Sequence, residues 1–182
     1  MARQFSELTE SLTAFIERQQ LFFVATAAKD GRINISPKGL DSLRVLGPNK
    51  VLWLNLTGSG NETAAHLLKE SRMTLMFCSF DGKPLILRLY GTANTIHPRD
   101  EQYEKWNKLF PTFLGARQIH ELTIEMVQTS CGYGVPIMKF EEERSKLVEW
   151  AENKGEAGIK QYWEEKNQSS IDGFDTGILE EK

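Results

Sequence analysis

The sequence predicts a mainly β domain, a barrel or sandwich of about six antiparallel strands with helices at both ends. Three observations support this fold class. Short runs rich in β-branched and aromatic residues recur through the middle of the chain, separated by turn signals. Few helical segments come between these runs, which argues against alternating βαβ units. Helical spacing of apolar residues is found near the two termini and in a short insert at residues 99–110.

The composition fits one domain and restricts the class of partner. The chain has 182 residues, of which 40% are hydrophobic and 26% charged, as in ordinary globular proteins. Its net charge of −3 gives no general attraction to nucleic acid or to an anionic membrane, so we expect a small-molecule ligand. No apolar run is long enough to span a bilayer, the N-terminus lacks a secretory pattern, and the two cysteines stand in unrelated contexts. A cytoplasmic location is therefore expected.

One helix and six strands are predicted in order along the chain. Apolar residues at helical spacing from Phe5 to Ile16 predict the N-terminal helix, with Ser6 available near its start. The predicted strands are residues 21–28, 32–39, 50–57, 73–80, 84–96 and 121–132. Asp30-Gly31 lies between the first two strands and is a strong hairpin signal.

The C-terminal part of the chain has a different character. Residues 140–167 are typical of two charged amphipathic helices broken at Gly155, and the residues that follow lack periodicity, as in an extended arm. We therefore divide the chain into a barrel domain, residues 1–140, and a helical extension with an arm, residues 141–182, that packs on the same domain.

A glycine-rich turn, "TGSGN", follows the third predicted strand and leads into a helix. Asn61 is a suitable N-cap for that helix. A nucleoside-triphosphate loop is excluded because no lysine follows Gly60, and a dinucleotide fingerprint is excluded because Thr63 replaces its third glycine. A helix start can still bind a single phosphate through backbone amides, helped here by the side chains of Thr57, Ser59 and Asn61. The alternative, which the turn taken alone favours, is a polar corner without a ligand.

Two cations and a second glycine-rich stretch add to the candidates. Lys38 stands near a strand end in "SPKG", where it is either an anion ligand or an exposed edge-strand lysine. Arg88 lies in a strand that is apolar on both faces, so it requires an anion or an internal carboxylate partner. In "TSCGYGVPIM" two glycines flank Tyr133, which either covers a planar cofactor ring or packs in a tight loop.

These motifs resemble the FMN-binding split-barrel family, whose founding enzyme is pyridoxamine 5′-phosphate oxidase. The resemblance covers roughly residues 10–138 and is carried by "SPKG", "TGSGNETAAHL", "LRLYG" and "SCGYGVP" in the family's order. It implies a six-stranded antiparallel split β-barrel of Greek-key type that forms a homodimer with FMN at the interface. It also implies that Lys38 and Arg88 lie on neighbouring strands.

The resemblance further implies a set of cofactor-binding residues. For the FMN phosphate they are Ser36, Lys38, Gly39, Thr57, Ser59, Gly60, Asn61 and Arg88. The backbone of Leu54, Asn55 and Leu56 would edge the isoalloxazine ring, and Cys131, Gly132 and Tyr133 of the other subunit would cover it.

The chain also departs from the founding enzyme. Gly60-Asn61 replaces an arginine-lysine pair in the turn, and the acidic helical tail replaces the arginine-containing C-terminal signature. The substrate-gripping residues of the middle helices have no convincing match, although Tyr103 and Arg117 are present. A flavin-dependent oxidoreductase of unknown substrate is therefore the leading hypothesis. A non-catalytic FMN carrier or sensor, or a split-barrel protein that binds deazaflavin or heme, is the alternative. The three histidines are too scattered to suggest a metal site, and no catalytic residue can be assigned.

Overall fold

A computed structural model of the chain describes residues 2–180. Its strands are β1 (Arg3–Phe5), β2 (Phe22–Thr26), β3 (Asn34–Lys38), β4 (Leu43–Gly47), β5 (Lys50–Leu56), β6 (Arg72–Cys78), β7 (Ile86–Ile96) and β8 (Ala116–Ser130). Its helices are α1 (Glu10–Glu17), α2 (Glu62–Lys69), α3 (Tyr103–Asn107) and α4 (Lys146–Lys166). The fold is thus mainly antiparallel β with four helices, as predicted.

All eight strands belong to one curled antiparallel sheet. Their order is β3-β2-β6-β7-β8-β5-β4, and β1 pairs with β8. The long β8 connects the strands on either side of it. On one edge, its first part pairs with β5 and its last part with β1; on the other edge, it pairs with β7. The sequence prediction of six strands was wrong: the sheet has eight, and no pairing between β3 and β4 closes it within the described residues.

The two strands that the sequence analysis missed are short or irregular. β1 has three residues, and β4 carries a register shift between Val45 and Gly47. The hairpin at Asp30-Gly31 is confirmed, since β2 and β3 pair antiparallel on either side of it. Expecting Lys38 and Arg88 on neighbouring strands was wrong, because β2 and β6 lie between β3 and β7.

The helices follow local signals in the sequence. Thr9, rather than Ser6, caps α1 and accepts a hydrogen bond from the backbone N–H of Leu12 at 3.4 Å. α1 then buries its apolar stripe against the sheet. The predicted break at Gly155 is confirmed, with φ 67° and ψ 172° inside α4, a conformation that is essentially restricted to glycine. Helix α4 begins at Lys146, so the acidic residues just before it are not helical.

Two apolar cores lie on opposite faces of the sheet. The larger one is formed by α1 and by the inner faces of β2, β5, β6, β7 and β8. The smaller one lies between α3 and the other face of β5 and β8, where Leu54 and Ile119 are fully buried. The β5–β8 pair is therefore covered on both sides. Within residues 2–180, no helix is both long and apolar enough to cross a bilayer.

Candidate functional site

A long cleft runs beside the C-terminal end of β5, between β3 and the glycine-rich turn. It consists of two adjoining cavities of about 840 and about 720 Å³. The residues that line both are Lys38, Trp53, Asn55, Leu56 and Gly58. Because each cavity lies within the usual range for small-molecule sites, the cleft is the candidate binding site.

Lys38 lies where the two cavities meet. It ends β3, and its Nζ lies 5.1 Å from the centre of the Trp53 ring on β5, within cation–π distance. Trp53 stacks in turn on the ring of His120, with centroids 4.8 Å apart. Burial, and then the charge of Arg117, lowers the pKa of Lys38 to about 8. The lysine is therefore largely protonated at neutral pH, in surroundings that disfavour its charge.

Arg117 supplies a second cation from β8. Residues Asn55 and Leu56 pair with Gln118 and Ala116, so a β-bulge leaves Arg117 between them. The bulge brings the guanidinium beneath the glycine-rich turn, where the side chain is only 2% exposed and lines the smaller cavity. Burial lowers the pKa of Arg117 to about 9, which still leaves it charged at neutral pH.

Neutral groups hold the Arg117 guanidinium. Nη1 donates to the carbonyl of Gly60 at 3.1 Å and to Oδ1 of Asn167 at 2.7 Å. Because a guanidinium can only donate, the Asn55 amide turns its oxygen to Nη2, at 3.0 Å. Nε has no hydrogen-bond partner in the described chain. Neither Arg117 nor Lys38 forms an ion pair with a carboxylate of residues 2–180, which is unusual for cations removed from water.

The glycine-rich turn forms the part of the smaller cavity next to Arg117. Asn61 occupies the N-cap position of α2 but makes no capping hydrogen bond. Its side chain is 2% exposed, lines the smaller cavity, and finds no partner for its oxygen or its nitrogen among the described residues. Ser59 and Gly60 line the same cavity. An amide buried without partners is costly, which indicates a ligand-facing role.

Thr57 has a different environment from the rest of the turn. Its hydroxyl donates to the Gly115 carbonyl at 2.9 Å and accepts from Nε1 of Trp163 in α4 at 2.8 Å. The hydroxyl is thereby engaged in fastening the turn to the C-terminal helix, and Thr57 borders the larger cavity.

The structure brings together most of the predicted site residues. Ser36 and Lys38 of β3 meet Asn55, Leu56, Ser59, Gly60 and Asn61 in the smaller cavity, while Gly39, Leu54 and Thr57 line the larger one. Four predicted residues lie outside both cavities. They are Arg88, Cys131, Gly132 and Tyr133.

Arg88 and Tyr133 lie on other surfaces of the chain. Arg88 is three strands from β3, roughly 14 Å at ordinary strand spacing, and donates to the hydroxyl of Ser130 at 3.2 Å. The carboxylate partner considered for Arg88 is not present in the described residues. Tyr133 is 82% exposed. Within one chain, therefore, these residues do not contribute to the cleft.

Sequence reasoning missed Trp53, Arg117 and His120 as members of the site. His120 is fully buried, and its Nδ1 shares a hydrogen bond with the Thr95 hydroxyl at 3.1 Å. Burial, and then the charge of Arg117, lowers the pKa of His120 well below its ordinary value. It is therefore neutral. The available signal was the polar run "ARQIH" inside an apolar strand, which is unusual for residues buried on both faces.

Comparisons with known proteins agree with this fold. Residues 8–131 match the family model for pyridoxamine 5′-phosphate oxidase. The pyridoxamine 5′-phosphate oxidase family protein ustO of Aspergillus flavus is 39% identical over 190 residues, which cover 93% of this chain and 76% of that protein.

Three solved structures share the fold at low sequence identity. A candidate pyridoxamine 5′-phosphate oxidase from Lactobacillus delbrueckii has a TM-score of 0.54 and 23% identity, covering 68% of this chain and 94% of its own. HupZ of Group A Streptococcus has a TM-score of 0.52 and 22% identity, with coverages of 65% and 91%. A FAD-binding protein from Mesorhizobium loti has a TM-score of 0.50 and 12% identity, with coverages of 71% and 97%. With the family model spanning most of the chain and a relative matching nearly all of it, the chain belongs to the pyridoxamine 5′-phosphate oxidase family.

Proposed function

We propose that this protein binds FMN in the cleft beside β5 and acts as an FMN-dependent oxidoreductase. The observation that carries the proposal is the pair of cations, the half-buried Lys38 and the buried Arg117, that share a cavity with the unpartnered amide of Asn61. A phosphate monoester would neutralise both charges and give Asn61 an acceptor for its N–H groups. The three side chains therefore fit the phosphate end of the cofactor.

The smaller cavity also contains one carboxylate, which is already engaged. Both oxygens of Glu62 accept from the backbone N–H of Ile171, at 3.1 and 3.2 Å. Glu62 is also in the first turn of α2, where the helix dipole stabilises negative charge. The Glu62 carboxylate therefore shares the cavity with the phosphate, but the Ile171 N–H group and the N-terminus of α2 stabilise its negative charge.

The larger cavity fits the ring end of the cofactor. Its lining includes Trp53, Leu54, Leu56, Leu40 and Met138, together with charged residues from 139 to 146. The apolar side chains suit a planar aromatic ring, while the backbone of β5 offers hydrogen-bonding groups at its edge. When bound, FMN would supply hydride transfer, and the chain would fix the ring and hold a proton at Nζ of Lys38.

Family membership supports flavin as the cofactor class. The Mesorhizobium loti structure, which shares the fold, is that of a FAD-binding protein. FMN is favoured over FAD here because the smaller cavity is lined by Lys38, Arg117 and Lys166, besides Arg32, which pairs with Asp172, and this positive charge matches a terminal dianionic phosphate.

We also propose a homodimer. The residues of the predicted set that lie outside the cleft, Arg88 and Tyr133 among them, would then reach the cofactor of a second copy. Two exposed isoleucines support this arrangement: Ile33, just before β3, and Ile35, on β3, are 73% and 65% exposed at the border of the smaller cavity.

The test is the absorption spectrum of the freshly purified protein, followed by calorimetric titration of the flavin-free form with FMN, FAD and riboflavin. We expect two flavin absorption bands, and tighter binding of FMN than of riboflavin because only FMN carries the phosphate. A heme-type band, or equal affinity for FMN and riboflavin, would contradict the proposal. Anaerobic bleaching of bound FMN by a reduced nicotinamide would support turnover, whereas a carrier would stay oxidised.

A further inference from the structure

The C-terminal end of α4 contacts the glycine-rich turn directly. Asn167 follows the helix and is fully buried. Its Nδ2 donates to the carbonyl of Gly58 at 3.1 Å, and its Oδ1 accepts from Nη1 of Arg117 at 2.7 Å. One amide thus joins the turn to the buried cation. One helical turn earlier, Trp163 donates to the hydroxyl of Thr57.

The arm that follows holds Asn167 in place and also walls the smaller cavity. The hydroxyl of Thr176 donates to the backbone carbonyl of Asn167 at 2.6 Å, and Ser169 pairs with Asp175 in an isolated β-bridge. Ser170 and Ile171 line the cavity beside Arg117. The arm is anchored at its far side by the ion pair between Asp172 and Arg32.

The chemical type of residue 167 is informative. A carboxylate there would pair with Arg117 and cancel its charge. The neutral amide of Asn167 orients the guanidinium and leaves the positive charge available to a ligand. The charge is expensive in this setting, since Arg117 is buried, lies near Lys38, and lacks a hydrogen-bond partner at Nε in the described chain.

We infer that the C-terminal tail, from Trp163 to Thr176, forms part of the anion subsite and that Asn167 is the residue that positions Arg117. This inference rests on the proposed function, because the anion is the phosphate of the bound flavin. Because the tail holds Arg117 and Arg117 holds the phosphate, docking of the tail and binding of the phosphate strengthen one another. The subsite is therefore built partly from residues beyond the 8–131 segment that matches the family model.

The experiment compares Asn167→Asp with the neighbouring exposed substitution Gln168→Ala in the full chain. Flavin-free protein is titrated with FMN and, separately, with riboflavin. Hydrogen exchange of the backbone from residue 163 to residue 171 is followed with each ligand. We expect Asn167→Asp to weaken FMN binding by at least about tenfold, because the new carboxylate neutralises Arg117. Riboflavin affinity should be unchanged, Gln168→Ala should resemble the wild type, and FMN but not riboflavin should slow exchange in the tail.

Other outcomes overturn the inference in distinguishable ways. If Asn167→Asp lowered FMN and riboflavin affinity equally, or neither, Asn167 would have only a structural role while the proposed function stood. If wild-type protein bound no flavin, the proposed function would fail, and inorganic phosphate would serve as the probe. Slower tail exchange with phosphate in the wild type, lost in Asn167→Asp, would still support the coupled anion subsite. Absence of that effect would overturn it.

Discussion

At the residue scale, the cleft is distinguished by the positive charges of Lys38 and Arg117, which form no ion pair with a carboxylate among residues 2–180. Lys38 contacts an aromatic ring, and Arg117 contacts carbonyl and amide oxygens, where buried cations usually pair with carboxylates. The third titratable neighbour, His120, is neutral and adds no charge. Function thus costs stability at this position, and both the binding and the stability of variants should show it.

Lys38 should make FMN binding depend on pH. Its pKa is about 8 in the flavin-free protein, and a bound phosphate would raise that value because it favours the charged form. Between about pH 7, where the phosphate is a dianion, and pH 8 the lysine is protonated before and after binding, so affinity is at its plateau. Above pH 8 binding must take up a proton, and affinity falls by up to about tenfold per pH unit until the pKa of the complex is reached. Titrations with FMN from about pH 6 to about pH 10 measure this profile.

Two variants at the same position serve as controls. Lys38→Arg keeps the charge at position 38 above pH 8, so the decline should begin only near pH 9, where Arg117 starts to lose its proton. Lys38→Met removes a desolvated charge, so flavin-free protein should melt at a higher temperature while binding FMN more weakly. A decline that still began at pH 8 in Lys38→Arg would assign the titration to a group other than Lys38.

Substitution of Asn61 should weaken FMN binding without lowering the stability of the flavin-free protein. The Asn61→Ala variant loses no hydrogen bond in the flavin-free structure, so its unfolding free energy should stay the same or rise. FMN affinity should fall by about tenfold, because a phosphate would lose one donor. Thr9→Ala is the matched control: it removes a cap that does form a hydrogen bond and should cost about 1 kcal/mol of stability without affecting FMN affinity. Denaturant unfolding and calorimetry provide the two readouts, and a loss of stability in Asn61→Ala comparable to that in Thr9→Ala would contradict the ligand-facing role.

At the element scale, the sequence predicted the elements that have strong local signals. The Asp30-Gly31 hairpin and the break at Gly155 are each specified by one or two residues, and both are confirmed. β1 was missed because three residues cannot show a period of two, and it exists only through pairing with β8. Arg117 was missed for a similar reason, since its position depends on a bulge that forms between β5 and β8. Long-range pairing, rather than local pattern, completes the site.

A second bulge, between β7 and β8, depends on Gly91. The register of this pair shifts between Tyr90 and Gly91, and a Cβ at Gly91 would lie 1.9 Å from the carbonyl oxygen of Thr123. Gly91→Ala therefore forces β8 away from β7 in the middle of the larger core. We expect a loss of at least about 3 kcal/mol in unfolding free energy, or failure to fold.

Denaturant unfolding beside the exposed neighbour Thr92→Ala checks the prediction for Gly91. The threonine substitution keeps the pairing and should cost less than about 1 kcal/mol, as a change in strand propensity. Equal stability of the two variants would show that the strands separate easily at the bulge.

At the scale of the whole molecule, the inner and outer faces of β2, β6 and β7 differ in how far they are covered by the rest of the chain. The inner face of β2, β6 and β7 packs on the larger core, where Val24, Leu75 and Leu89 are fully buried. On the outer face, strand pairing places Ile35, Ala25, Thr74 and Tyr90 in one row across β3, β2, β6 and β7. The next row across the same four strands runs from Pro37 through Phe23 and Met76 to Arg88. Among residues 2–180 neither apolar core includes the side chains of these rows, and the exposed Ile35 lies at their edge. A second copy would bury this face and bring Arg88 toward a cleft that it does not reach in its own chain.

The dimer prediction is tested by placing charge on that face. Sedimentation equilibrium of the wild type should show a dimer, and Ile35→Glu should raise its dissociation constant by at least about a hundredfold, because a buried carboxylate would face an apolar surface. Leu46→Glu is the control, since Leu46 is also exposed but lies on β4, at the opposite edge of the sheet. FMN affinity should fall in Ile35→Glu for two reasons, since the partner's contribution would be lost and the new carboxylate would lie in the smaller cavity that Ile35 lines. It should stay unchanged in Leu46→Glu, so dissociation of the dimer, rather than FMN affinity, decides this prediction. A monomeric wild type that binds FMN at full affinity would show instead that Lys38, Arg117 and Asn61 of one chain suffice for the phosphate.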